Sequence, residues 1–287
     1  MISEITGNTR LICLLGSPVA HSVSPLMHNA AFELLGLPYR YLCFDVKEDR
    51  IKEAVEALRL FHARGFNCTM PLKTAMAGLA DELSLAAQLM GAVNTVVIEN
   101  GKLIGHNTDG MGYMQSVKEA GFSILGKKMT LLGAGGAATA ICVQAALDGL
   151  AEIEVFSRPG ERFRKMEKLS KALAAKSGCR IYVRELSDRK ALEKSLEESA
   201  ILTNGTCVGM APEEEACPIP ETIFLPSHLI VSDIIYNPRK TRLLKLAEAC
   251  SCPYFNGMDM LLYQGAAAFE LWTGQKMPVQ EIKGRVI

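Results

Sequence analysis

The 287-residue sequence predicts an α/β protein of two domains, the second built on a doubly wound parallel sheet. Three observations carry this expectation. The chain is long for a single hydrophobic core. Short apolar runs, stopped by Gly, Pro or polar turns, alternate along it with stretches of helical periodicity. Beyond residue 128 the alternation becomes regular, and its first apolar run leads directly into Gly133-Ala134-Gly135-Gly136-Ala137-Ala138.

The first strand is expected at residues 11–15, an apolar run ended by Gly16. Ser24 reads as the N-cap of the next helix and Pro25 as its first residue, with the helix running to Leu35 before Gly36 and Pro38. Residues 39–46 form the second strand. Ile51, Val55, Leu58 and Phe61 recur at helical spacing, and Gly65 supplies the stop. Residues 66–71 read as a third strand that ends just before a proline-started helix. Residues 93–98 and 102–106 flank Asn100-Gly101, the dipeptide of a tight antiparallel turn. The first hundred residues are therefore an α/β domain with an antiparallel hairpin. Asp109-Gly110 begins a helix to Ala120, after which strands fall at 128–132, 153–157, 180–183, 200–203, 229–233 and 252–255, with helices between most of them. Crossovers among six such strands give a doubly wound sheet. The last apolar helix, 258–272, has no further strand to cross to, so it is expected to return to the first domain and close a cleft. The domains are then 1–109, with 258–287 packed back onto it, and 110–257. Residues 211–220, acidic and Pro-containing, are the one extended loop-like segment.

Composition narrows the partners. Equal numbers of basic and acidic residues, 31 of each, create no net field for nucleic acid or an anionic membrane. No apolar run reaches the length of a membrane span, and the first residues, Met1 to Thr6, lack the basic and apolar segments of an export signal. The nine cysteines, among them Cys13, Cys43, Cys68 and Cys142, are scattered through apparent strands and helices as small apolar fillers, which suits a reduced, cytoplasmic protein. Cys250 and Cys252 have no partner at zinc-finger spacing, so no metal is expected. His21, His28 and His106 also lack ligand spacing, and His62 and His228 read as surface residues.

The glycine stretch sits where a strand turns into a helix, the context that a dinucleotide requires. Gly133 permits the tight turn, Gly135 allows close approach of a pyrophosphate, and small Ala138 permits close helix packing, while the free N–H groups of the helix start attract the anion. Gly133, Ala134, Gly135, Gly136 and Ala137 are thus the candidate cofactor cradle of a Rossmann dinucleotide-binding domain. In the first domain Ser22 and Ser24 put two hydroxyls beside a helix N-terminus, either as a carboxylate site or as an ordinary cap and loop residue. Asn67-Cys68-Thr69-Met70-Pro71-Leu72-Lys73 places a lysine at a helix start, where it opposes the helix dipole. With Asp109 of Asn107-Thr108-Asp109-Gly110, Lys73 would form an acid-base pair able to bind a substrate hydroxyl and move its proton.

Together these stretches resemble the shikimate dehydrogenase family. Gly16-Ser17-Pro18 with His21-Ser22-Val23-Ser24-Pro25 and His28-Asn29 comes first. It is followed in family order by Asn67 to Lys73, Gly91-Ala92-Val93-Asn94-Thr95, Asn107 to Gly110, Gly133 to Ala137, Asp233-Ile234-Ile235-Tyr236-Asn237-Pro238 and Tyr263-Gln264-Gly265. These motifs span nearly the whole chain. The resemblance implies an N-terminal substrate domain and a Rossmann domain with a cleft between them, and reversible reduction of 3-dehydroshikimate to shikimate with NADP or NAD. Carried over by motif, it implies that Ser22 and Ser24 hold the substrate carboxylate with Tyr236, and that Thr69, Asn94 and Gln264 bind the ligand in the same pocket. Lys73 and Asp109 would flank the reacting hydroxyl, with Ile234 and Gly257 near the nicotinamide. A carboxylate beside an amine favours the ammonium whereas burial favours the neutral amine, so Lys73 acts either as a desolvated base or as a proton donor to the oxygen. A quinate/shikimate dehydrogenase using NAD is the alternative; a ligand-sensing regulator without catalysis fits poorly, because the Lys/Asp pair and the glycine turn are both present. The resemblance leaves a monomer or a homodimer open.

For the cofactor, NAD enzymes usually carry an acidic residue about 20 positions beyond the glycines. Here the second strand ends at Ser157-Arg158-Pro159-Gly160-Glu161-Arg162. Arg158 can stack on adenine or pair with a 2′-phosphate, and Arg162 can act as a second cation, which leans toward NADP. Glu161 could instead contact a free ribose, and the loop also resembles the quinate/shikimate branch.

Overall fold

The computed structural model describes residues 4–286. Met1, Ile2 and Ser3, on which the reading of the N-terminus partly rests, lie outside the described residues, as does Ile287. Two compact units divide the chain, one of Met1–Gly112 with Leu262–Ile287 and one of Tyr113–Leu261.

The first unit contains β1 (Arg10–Gly16), α1 (Ser24–Leu34), β2 (Tyr39–Asp45), α2 (Ile51–Leu60), β3 (Gly65–Cys68), α3 (Lys73–Ala77), β4 (Glu82–Leu83), α4 (Leu85–Met90), β5 (Thr95–Glu99) and β6 (Lys102–His106). Its strands form one sheet in the order β2-β1-β3-β5-β6-β4, in which β1, β2 and β3 run parallel and β5 pairs antiparallel with both β3 and β6. The Asn100-Gly101 turn has φ of 50° and 79° at its two central residues, as a two-residue hairpin of this twist demands. Side-chain alternation along β1 divides the core. Cys13 and Leu15 face α2 and α3 residues such as Val55, Leu58 and Met76, whereas Ile12 and Leu14 face α1 and the C-terminal helix through Met27, Phe32, Phe269 and Trp272.

The second unit begins within α5 (Asp109–Glu119). It continues through β7 (Lys128–Leu132), α6 (Gly136–Asp148), β8 (Glu152–Ser157), α7 (Glu161–Ser177), β9 (Arg180–Glu185), α8 (Arg189–Glu198), β10 (Ile201–Asn204), β11 (Ile230–Asp233), α9 (Arg242–Ala249) and β12 (Tyr254–Phe255). All six strands are parallel, in the order β12-β11-β10-β7-β8-β9. The order reverses at β7, so the ligand crevice of such a sheet falls at the carboxyl end of β7. Helix α10 (Met258–Thr273) then carries the chain back into the first unit, where α11 (Val279–Val286) follows it. Trp272 seals that return: it is 1% exposed and donates its indole N–H to the Val96 carbonyl at 2.9 Å.

Several expected boundaries are corrected. Ser24 is not the N-cap of α1 but its first residue; Val23 holds the cap position without a side-chain bond, and the Ser24 amide donates instead to Ser22 Oγ at 3.3 Å. The turn closed by Ser22 N–H on the Val19 carbonyl brings Val23 into helical dihedrals one residue early. Gly65 does not stop α2, which ends at Leu60 with His62 in the left-handed region; it opens β3, where a Cβ would lie 2.3 Å from the Val96 carbonyl oxygen and 2.5 Å from the Trp272 indole nitrogen. Pro71 does not start α3. A turn from Leu72 N–H to the Thr69 carbonyl intervenes, and the helix begins at Lys73. The short β4 and α4 between residues 82 and 90 were not anticipated, although Ser84 caps α4 through the Ala87 amide and Gly91 ends it in the left-handed region.

Candidate functional site

In the first unit the candidate substrate residues gather at the carboxyl ends of β1 and β3. Gly16 closes β1 so tightly against the next strand that a Cβ there would meet Thr69 Cγ2 at 2.2 Å, which brings Thr69 beside the 17–24 loop. Ser22 lies in that loop, where its hydroxyl oxygen accepts the Ser24 amide at the start of α1. Both serines remain partly exposed, as does Gln264 on α10.

Lys73 and Asp109 are brought together. The Lys73 ammonium donates to Asp109 Oδ2 at 2.6 Å, and the two side chains keep 32% and 17% of their surface, enough for a ligand to reach both. The other carboxylate oxygen is also held: Asn94 Nδ2 donates to Asp109 Oδ1 at 2.8 Å. The orientation of the Asn94 amide follows from its neighbours. Its Oδ1 accepts the Thr108 backbone N–H at 2.8 Å, a group that can only donate, so the NH2 must face Asp109. Thr95 Oγ1 also donates to Asn94 Oδ1, and Thr95 in turn accepts from Asn67 Nδ2, whose Oδ1 receives the Tyr41 hydroxyl at 2.7 Å. Asn94 is 3% exposed, so in the free protein it serves first to hold Asp109. Asn107 fixes the start of α5 by accepting the Asp109 N–H and donating to the Ala92 carbonyl.

In the second unit Gly133 lies at φ +104°, a region open to glycine, and a Cβ there would meet Thr206 Cγ2 at 2.8 Å. Gly135 precedes α6 in extended conformation, and the first-turn amides that follow it, with exposed Gly136 and partly buried Ala134 and Ala137, form an N-terminal anion cradle. Ala138 packs on Gly205, where a Cβ would come within 2.8 Å of the alanine Cβ. Arg162 adds a cation, its Nη1 lying 4.0 Å from the Cβ position of Gly135. Ser157 ends β8, whose Phe156 carbonyl accepts the Gly133 N–H, exposed Arg158 follows it, and Glu161 pairs with Lys165 at 2.7 Å on the surface. A pyrophosphate fits this set of donors, and the cations fit further phosphate.

Gly257 could carry no side chain at all: a Cβ would fall 1.8 Å from the Ile234 carbonyl oxygen. That contact, together with Gly257 N–H on the Ile235 carbonyl, presses Ile234 into place, and Tyr236 stands exposed two residues on. The root of the same loop is Asp233, wholly buried, which accepts from Asn204 Nδ2, the Ile235 N–H and the Thr241 hydroxyl. Burial pushes its carboxyl up to about 6, against the lowering effect of those three donors. Among the described residues no group of His, Cys, Asp and Glu side chains is arranged to hold a metal. Sequence reasoning missed Tyr41 and Asn204, and it quoted Asn67, Thr95, Thr108 and Asp233 within motifs without giving them a role of their own. The signal available was the polar tip of each strand, Asn67 on β3 and Asn204 and Asp233 on β10 and β11, where ligand sites of parallel sheets form.

A doubly wound sheet with a glycine turn at its switch point, joined in one chain to an acid-base pair on a second α/β unit, defines a dinucleotide-dependent oxidoreductase. Residues 14–96 match the shikimate dehydrogenase substrate binding domain and residues 257–287 the shikimate 5'-dehydrogenase C-terminal domain. The shikimate dehydrogenase (NADP(+)) of Listeria monocytogenes is 50% identical over 280 residues, which is 98% of this chain and 96% of that protein. The crystal structure of the Listeria monocytogenes shikimate 5-dehydrogenase in complex with shikimate and NAD, 49% identical, superposes with a TM-score of 0.96 over 100% of this chain and 99% of that one. A quinate dehydrogenase from Corynebacterium glutamicum in complex with NAD is 27% identical, with a TM-score of 0.85 over 96% and 98% of the two chains. The chain belongs to the shikimate dehydrogenase family.

Proposed function

We infer that the protein catalyses the reversible NAD(P)-dependent reduction of 3-dehydroshikimate to shikimate, a step of aromatic amino acid biosynthesis through chorismate. The 2.6 Å Lys73–Asp109 pair, with both groups reachable, is the observation that carries the reading. When bound, the nicotinamide cofactor supplies or accepts the hydride at the ring carbon. In reduction Lys73 gives its proton to the carbonyl oxygen as hydride reaches carbon, and in oxidation the proton returns from the hydroxyl by the same route. Asp109, with both oxygens accepting, aligns Lys73. Ser22, Ser24 and Tyr236 take the substrate carboxylate; Thr69, Asn94 and Gln264 orient the ring hydroxyls. The reading of Ser24 is supported by its position in the first turn of α1, where backbone amides favour an anion.

For the cofactor, Gly133 to Ala137 hold the pyrophosphate, Ser157, Arg158 and Arg162 the adenosine end, and Ile234 and Gly257 flank the nicotinamide. The two arginines, Arg158 and Arg162, support NADP over NAD. No described helix is long and apolar enough to cross a membrane. The nine cysteines, all unpaired, support a reducing, cytoplasmic setting.

Initial rates of the purified protein with shikimate and with quinate, each against NADP and NAD, test the reading. Shikimate with NADP is expected to be fastest. Faster turnover of quinate would move the assignment to a quinate dehydrogenase, a strong preference for NAD would defeat the arginine argument, and no turnover in any combination would overturn the reading.

A further inference from the structure

Asp233 ends β11 in register with Asn204 at the end of β10, at the carboxyl edge of the parallel sheet. It is 0% exposed, and each group bonded to it is neutral: Asn204 Nδ2 at 3.0 Å, the Ile235 N–H at 3.1 Å and Thr241 Oγ1 at 2.7 Å. The Cys217 thiol, on which its charge acts weakly, is itself pushed up by burial. An asparagine could meet the same three contacts, its Oδ1 taking the Asn204 and Ile235 hydrogens and its NH2 donating to the Thr241 hydroxyl. Shape and hydrogen bonding therefore do not require a charge here, and a carboxylate buried without a cation is costly.

The topology supplies a reason for the charge. In a doubly wound sheet each half takes one mononucleotide of the ligand. Arg158 and Arg162 mark the β7-β8-β9 half for the adenosine, on the reading of the site given above, so the nicotinamide falls to the half formed by β10, β11 and β12. The nicotinamide ring is cationic when oxidised and neutral when reduced. We propose that Asp233 is the counter-charge by which this site distinguishes the two redox states of its cofactor, its carboxylate favouring the cationic ring through the low-dielectric root of the 234–236 loop.

The test is equilibrium binding of oxidised and reduced cofactor, NADP and NAD separately, to the full protein and to Asp233→Asn. The variant is expected to lose about tenfold in affinity for the oxidised form, one unit of interaction in pK terms, with the reduced form changed by less than about twofold. Equal weakening of both forms, or no change in either, would overturn the proposal and leave Asp233 a structural residue. Should Asp233→Asn not fold, as judged by circular dichroism, the unmodified protein decides. Calorimetry near pH 6 in two buffers of different ionisation enthalpy should show more protons released on binding the oxidised form than on binding the reduced form, because burial holds Asp233 at about 6 and a cation would draw it down. Equal proton exchange with both forms would overturn the proposal. Failure of either form to bind the unmodified protein would overturn the dinucleotide reading itself, a distinct result.

Discussion

The Thr108 backbone N–H decides more of the acid-base chemistry than its small size suggests. By occupying Asn94 Oδ1 it forces the amide to donate to Asp109, and Lys73 then finds a carboxylate that accepts at both oxygens. Lys73→Ala and Asp109→Ala are each expected to lower kcat by orders of magnitude while circular dichroism stays unchanged; near-normal turnover would remove that residue from the chemical step. Residue type and placement beside element boundaries made the Lys73–Asp109 pair legible in the sequence. Tyr41, Asn67 and Thr95 were not, because a buried Tyr, Asn or Thr on a strand looks like any other until its neighbours across the sheet are known. The buried His28 is the converse case. Stacked 4.5 Å from Tyr41, with neither ring nitrogen hydrogen-bonded among the described residues, it is a packing residue with a polar liability.

At the scale of elements, glycines carry the turns that position the ligands, each for a different reason. Gly133 needs its dihedral angle, Gly205 makes room for Ala138, and Gly257 makes room for the backbone of Ile234. Gly257→Ala has no flexible neighbour to displace, so it must shift the 234–236 loop. We expect the KM for the cofactor to rise at least about tenfold, with a fall in Tm of a few degrees, the size of shift that about 1 kcal/mol produces. An unchanged KM would show that the loop does not contact the cofactor. Strand positions were read within two or three residues from apolar runs, and the hairpin turn from Asn100-Gly101, because these signals are local. Helix starts were read less well. Ser24 and Pro25 have the residue types of a cap and first turn, yet the preceding 19–22 turn, which no propensity records, moved the start by one residue.

For the whole molecule, acid should act on the two units in opposite directions. Burial lowers His28 to about 3 in the first unit. Its unfolded form takes up a proton below about 6.5, so stability present above that pH is lost as pH falls toward 3, by about 5 kcal/mol in total. Burial instead raises Asp233 to about 6 in the second unit. A raised carboxyl contributes stability present below its unfolded value near 4 and lost as pH rises through 6, about 3 kcal/mol. The first unit should therefore weaken and the second strengthen as pH drops from 6.5. The single tryptophan, Trp272, lies in the first unit and reports its unfolding by fluorescence, which can be set against far-ultraviolet circular dichroism of the whole chain. His28→Phe, which keeps the aromatic stack and removes both orphan nitrogens, should raise the tryptophan-detected midpoint and flatten its pH dependence; an unchanged acid slope would show that His28 does not control it. The sequence by itself determined the α/β class, the parallel second sheet, the dinucleotide turn and the Lys/Asp pair, since each is written in periodicity or in residue types at short spacing. Only the tertiary structure decided the strand order of each sheet, the return of Trp272 onto Val96, the orientation of Asn94 and the burial of Asp233 and His28. These depend on which distant segments meet, and the energy of a polar or charged group is set by what surrounds it in space.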